Sequence, residues 1–133
     1  MPDVTQEPPS NDTSTNAAMA GVETGSVHVM VSATRTRIVL SGEVDVALAS
    51  DLAEAVHDAE RAGLPVEIDA RHVTFMDSSG VTMLARLAHR AGRLTMIQPP
   101  DVVRFLLEVT RIGEVIDVLD VDPGFPENPT DAA

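Results

Sequence analysis

The chain has 133 residues, no cysteine, 44% apolar content and a formal net charge of −12, which bounds it as one soluble domain with a single core of ordinary size. Disulfides, thiolate metal sites and thiol chemistry are excluded, and a chain of this sign offers phosphate backbones and anionic membranes no attraction. Most of the charge lies at the ends: residues 1–26 carry four acids and no arginine, residues 120–133 carry four more, and residues 27–119 set thirteen acids against all nine arginines, a difference of −4.

Residues 1–26 are rich in Pro, Asn, Asp, Thr and Ala without periodicity, and are expected to form a disordered acidic tail. They contain neither the basic start nor the apolar run of a secretory signal, and no stretch approaches the roughly 18 apolar residues of a membrane span. Cytoplasm is the default location, with neither membrane insertion nor direct nucleic acid binding expected. Val27, Val29 and Val31 alternate with His28 and Met30, and Arg37-Ile38-Val39-Leu40 resumes the period after a short connection, which predicts an antiparallel pair of strands. Ser41-Gly42-Glu43-Val44-Asp45 then breaks the second strand. Leu48, Leu52, Ala55, Val56 and Ala59 fall on one face at helical spacing until Gly63 closes the helix. Val66, Ile68 and Ala70 predict a third strand, joined to the second by a right-handed crossover and therefore parallel to it. If those strands are neighbours, Asp45 and Asp77 share one edge of the sheet, where binding sites of open α/β folds gather.

The apolar approach Val73-Thr74-Phe75-Met76 ends in Asp77-Ser78-Ser79-Gly80, and a helical pattern follows. This is how a buried strand hands over to a helix. Asp77, Ser78 or Ser79 can cap the first turn, and Gly80 removes a side chain that would keep another molecule from the backbone. Free amides and the helix dipole make such a start tolerant of a phosphate. The plainer reading is that the cluster is only a cap. The next helix is expected to bury Val81, Leu84, Ala85 and Ala88, with Leu87 on their flank, and to expose Thr82, Met83, Arg86 and Arg90. Leu94-Thr95-Met96-Ile97 predicts a fourth strand, Pro99-Pro100-Asp101 opens a helix able to bury Val102, Phe105, Leu106 and Val109, and Val115–Leu119 predicts a short fifth strand. Residues 120–133, with three prolines, are expected to fray into a flexible acidic tail.

Catalytic chemistry is not apparent. Neither Ser78 nor Ser79 has the upstream glycine of a nucleophile elbow, the four histidines lack metal-ligand spacing, and no Gly-rich phosphate loop occurs. No metal, no cofactor and no enzyme activity are expected, so a phosphate on this protein would come from a separate kinase.

Gly42-Glu43-Val44-Asp45, Val66-Glu67-Ile68-Asp69, Val73–Gly80 and the later Val102–Ile112 together resemble the STAS domain of bacterial anti-sigma factor antagonists, over about residues 27–119. The resemblance implies an α/β fold with a four- to five-stranded mixed sheet and helices packed against it. It also implies that the serine after the aspartate, Ser78, is phosphorylated by a partner anti-sigma factor that is itself a serine kinase, and that a serine phosphatase reverses the mark. The unphosphorylated form would capture the anti-sigma factor and free the sigma factor for transcription, a partner-switching role in bacterial stress response. Asp45, Asp77, Ser79, Gly80, Thr82, Met83 and Arg86 would form the partner-binding surface, and a weak homodimer is compatible with the sequence. Other STAS proteins serve as accessory subunits of membrane lipid transporters or as sensory scaffolds, and many of these lack the serine. The long acidic tails and the bulky Thr82 depart from simpler members.

Overall fold

The computed structural model describes residues 24–91 and 94–125. In chain order these form β1 (Ser26–Val31), β2 (Thr36–Val44), a 3-10 turn (Val46–Leu48), α1 (Ala49–Ala62), β3 (Val66–Met76), α2 (Ser78–Ala91), β4 (Leu94–Ile97), α3 (Asp101–Thr110), a second 3-10 turn (Ile112–Val115) and β5 (Ile116–Leu119). The five strands lie in one sheet in the order β1-β2-β3-β4-β5. Only the β1–β2 pair is antiparallel among the described residues; β2–β3, β3–β4 and β4–β5 are parallel. The mixed α/β architecture read from the sequence is the observed one.

Alternation along β2 and the first half of β3 turns Ile38, Leu40, Ile68 and Ala70 into the core, where they meet Leu52, Ala55, Val56 and Ala59 of α1 and Leu84 and Leu87 of α2. Gly63 ends α1 in the left-handed conformation at φ 64°, its amide bonded to the Ala59 carbonyl. The Gly42 region does not break β2. The strand runs on to Val44, and the ladder to β3 absorbs two register shifts, one between Val39 and Ser41 and one between Gly42 and Glu43, with Gly42 itself at φ 70°. On β3 these shifts change the inward period, so that Ala70 is followed by Val73 and then Met76. Phe75, expected in the buried approach, is consequently exposed at 46%.

Two helix faces differ from expectation. In α3 the buried residues are Val103 and Leu107, while Phe105 and Val109 are exposed at 61% and 57%. The helix carries two apolar stripes, and the one that meets the core is Val103 and Leu107 with Val102 and Leu106 partly buried beside them, as expected of the latter two. In α2, Met83 is buried and Ala85 is exposed, because this helix packs on α1 as well as on the sheet.

The boundaries of the fold also shift. Gly25 already packs against the Glu43 carbonyl and Leu48, so the folded part begins just before residue 27; residues 1–23 of the expected tail lie outside the described residues. At the other end the chain does not fray at residue 120. Asp122 pairs with Arg37 and Arg71, and the Phe125 ring lies against Arg35 and Arg37. Residues 126–133 lie outside the described part.

Candidate functional site

β2 and β3 are adjacent and parallel, with Val44 opposite Met76, so the residues that follow them, Asp45 and Asp77, emerge side by side at the carboxyl edge of the sheet. The Asp77 amide donates to the Val44 carbonyl at 3.1 Å and ties the two turns together. Each aspartate caps the turn it begins. Asp45 Oδ1 accepts from the Ala47 amide at 3.0 Å and opens the 3-10 turn. Asp77 Oδ1 accepts from the Ser79 amide at 2.7 Å, while its carbonyl accepts from the amides of Gly80 and Val81. With the cap supplied by Asp77, the hydroxyl of Ser78 is not needed for it. Ser78 stands at the first position of α2, exposed, and Ser79 is half-buried behind it.

Five of the sequence-predicted residues line one groove. Ser78, Ser79, Thr82, Met83 and Arg86 form its α2 wall, and Ala49, Leu52, Ala53 and Val56 of α1 form the other, around a volume of about 290 Å³. Its floor is apolar and its rim polar. Thr82 is exposed, whereas Arg86 is exposed but engaged: its guanidinium meets Glu60 of α1 at 3.3 Å, and Arg90 reaches the same carboxylate at 3.7 Å. Such exposed pairs hold side chains loosely.

Two expected surface residues are turned inward. Met83 is only 3% exposed, so it forms part of the groove's floor and is not the protruding contact expected of it. Gly80 is buried as well. A Cβ there would lie 2.5 Å from Met76 Cγ, so the glycine lets α2 settle on the end of β3 and does not keep a backbone open to a partner. The edge gains two residues that periodicity did not single out. Val46, beside Asp45, is 73% exposed, and the exposed Phe75 lies in register with Glu43 on the same edge. A valine directly after a capping aspartate was the available signal for the first; for Phe75 the signal was hidden by the register shifts.

Among the described residues no group of three or more histidines and carboxylates could hold a metal ion, and no helix is long and apolar enough to cross a membrane.

Residues 27–119 match the family described as Mlab, STAS domain. No curated protein matches the chain. Among solved structures, the unphosphorylated form of the anti-sigma factor antagonist SpoIIAA is similar at 22% identity and a TM-score of 0.59, covering 71% of this chain and 89% of that one. An anti-sigma factor antagonist from Mycobacterium paratuberculosis is similar at 19% identity and a TM-score of 0.66, covering 74% and 87%. The phosphorylated form of SpoIIAA, described as a Bacillus cell fate determinant, is similar at 22% identity and a TM-score of 0.55, covering 71% and 92%. At these identities the likeness is one of fold.

Proposed function

The chain belongs to the STAS domain family, and from that premise we propose that it is an anti-sigma factor antagonist whose partner binding is switched off by phosphorylation of Ser78. The observation that carries this reading is the exposed Ser78 at the first position of α2, with Asp77 and not Ser78 serving as the cap. A hydroxyl so placed accepts a phosphate without removing any contact of the fold, and although Asp77 already engages the amides of Ser79, Gly80 and Val81, the positive end of the α2 dipole is favourable to the anion. The appearance of SpoIIAA in both unphosphorylated and phosphorylated form supports the same idea for a related fold.

The physical action is local. Phosphate adds about −1.5 to −2 charges to an edge that already holds Asp45 and Asp77, while the apolar groove and the exposed Val46 and Phe75 supply the surface a partner would cover. An anti-sigma factor packed on this edge would have to desolvate that charge, and binding is lost while folding is kept. The protein is thus a binding protein of the cytoplasm and not an enzyme. Its kinase is the anti-sigma factor itself, and a separate serine phosphatase resets it.

The test is an intact-protein mass after incubation with candidate anti-sigma kinases and Mg-ATP. One added phosphate is expected on the parent and on Ser79→Ala, and none on Ser78→Ala, which should stay bound to the anti-sigma factor. Ser78→Asp should bind more weakly, though only in part, since a carboxylate has fewer charges and oxygens than a phosphate. Modification of Ser79 in the Ser78→Ala variant would overturn the residue assignment. If no kinase that binds the domain modifies either serine, the reading as an accessory subunit of a membrane transporter or sensory scaffold replaces this one.

A further inference from the structure

On the face of the sheet opposite Ile38 and Ile68, near the strand end remote from Ser78, two arginines are held in fixed positions by carboxylates of the sheet. Arg37 Nε donates to Glu67 Oε2 at 2.7 Å, and both side chains are almost fully buried. Arg71 is gripped by Asp69 through two hydrogen bonds, Nε to Oδ1 at 2.9 Å and Nη2 to Oδ2 at 2.7 Å. Oriented in this way, the two guanidinium groups converge on one point outside the sheet. That point is occupied by the carboxylate of Asp122, which meets Arg37 Nη2 at 2.9 Å and Arg71 Nη2 at 3.2 Å. Three residues further on, the Phe125 ring lies 5.1 Å from the guanidinium of Arg35 and 5.3 Å from that of Arg37, at cation–π distance. The Arg35 guanidinium also donates to the carbonyl of Gly124.

The contact has the form of a receptor with a ligand. Its receptor side has supports of its own, since Glu67 holds Nε of Arg37 and Asp69 holds Nε and Nη2 of Arg71. Preorganisation of this kind is what lowers the cost of binding a carboxylate. Its ligand side is thinly attached. Val121 is 69% exposed and anchors nothing, and the segment is held to the arginines by one carboxylate, one ring and one carbonyl. We propose that Arg35, Arg37 and Arg71 form a second binding site, for a partner-protein segment that carries a carboxylate three residues before an aromatic ring, and that the chain's own Asp122–Phe125 fills this site in cis. Arginine forks read the planar carboxylate, and the faces of Arg35 and Arg37 read the ring. A second copy of the same chain is a poor competitor, because the tethered segment sits at an effective concentration in the millimolar range. A partner segment must therefore bind more tightly than the resident one and displace it.

The probe is a fluorescently labelled synthetic peptide spanning Val121–Asn128. It should bind saturably to a chain ending at Asp120, and at least tenfold more weakly to the full chain, where the site is filled. Replacing the peptide's aspartate by asparagine, or its phenylalanine by alanine, should weaken binding at least tenfold, as should Arg71→Gln in the shortened chain. The full-length Asp122→Asn/Phe125→Ala variant keeps the backbone intact and should bind the peptide as the shortened chain does, which covers the case of a truncation that fails to fold. The proposal is overturned if the peptide leaves both opened proteins unbound while they unfold cooperatively, or if the full chain binds it equally well. It is also overturned if the altered peptides bind like the original. Mixed dimers of shortened and full chain forming in preference to peptide binding would make the site a self-association contact and sink the partner assignment. None of these readouts involves Ser78, so they stand or fall apart from the switch proposed above.

Discussion

Gly80 and Met83 lie within four residues of one another on α2, and both act beneath the surface that Ser78 presents. Ala at position 80 would gain about 1 kcal/mol of helix propensity, but its Cβ would fall 2.5 Å from Met76 Cγ and 2.9 Å from Met76 Sδ. Because Met76 is itself buried, relieving that overlap costs about 1–3 kcal/mol. Gly80→Ala is expected to lose about 1 kcal/mol net in urea unfolding; a gain in stability would show that Met76 moves freely. Met83→Glu places a carboxylate on the apolar floor of the α1–α2 groove and should lose about 3 kcal/mol, whereas Met83→Leu should stay within about 1.5 kcal/mol. Equal midpoints for Met83→Glu and the parent would mean that the side chain is free to swing outward. Thr36 makes a different point. Its Oγ1 is the one buried side-chain polar atom without a hydrogen-bond partner among the described residues, so Thr36→Val should be neutral or stabilise by about 1 kcal/mol, measured the same way.

At the scale of elements, what could be read in advance depended on whether an element's apolar residues form a single stripe. α1 packs one stripe inward, and its apolar period marked Leu48, Leu52, Ala55, Val56 and Ala59, all of them buried. α2, which like α1 packs on both the sheet and the neighbouring helix, buries Met83 beyond the stripe that its period marked. α3 offers two apolar stripes, so periodicity alone could not choose between Phe105 and Leu107. A capped start at Asp77-Ser78-Ser79 was legible because capping is local chemistry, although only the structure selects Asp77 among the three and shows that Asp45 caps its own turn. The contact of Asp122 with Arg37 spans 85 residues and has no local signature; a Pro-rich acidic end looks the same whether or not arginines await it.

That C-terminal contact has a pH dependence whose sign can be worked out. The hydrogen bond from Arg37 holds the Asp122 carboxyl below its ordinary range. Burial pushes the Asp69 carboxyl up, but the hydrogen bonds and charge of Arg71 outweigh this and leave it lowered too. A carboxyl with a lowered folded-state pKa stabilises the fold fully above its ordinary value of about 3.9, and that contribution fades as pH falls through the folded value. Asp122→Asn should therefore melt below the parent at pH 6. The gap should close as pH falls below about 4, checked by thermal midpoints across that range. A gap that stayed constant down to pH 2 would mean that charge on Asp122 is irrelevant to the contact.

For the molecule as a whole, the core runs from Ile38 to Ile116 and the first paired strand begins at Ser26. A chain starting at Thr24 is expected to unfold cooperatively with a thermal midpoint within about 2 °C of the full protein, since the sheet and the buried apolar residues among the described part are all retained. A larger fall would assign the first 23 residues a part in the fold. β1 runs antiparallel to β2, with Ser26 opposite Ser41, so the chain enters the sheet at the edge that bears Asp45 and Ser78. It leaves by way of Phe125 near Arg35, at the other end of the strands. The two ends of the domain thus point to opposite poles, and this decides how it should be handled on a sensor surface. Anchored at Phe125, the domain offers the Ser78 pole to the flowing solution; anchored directly at Thr24, it turns that pole toward the chip, and a kinase that binds well in free solution would register as a weak ligand.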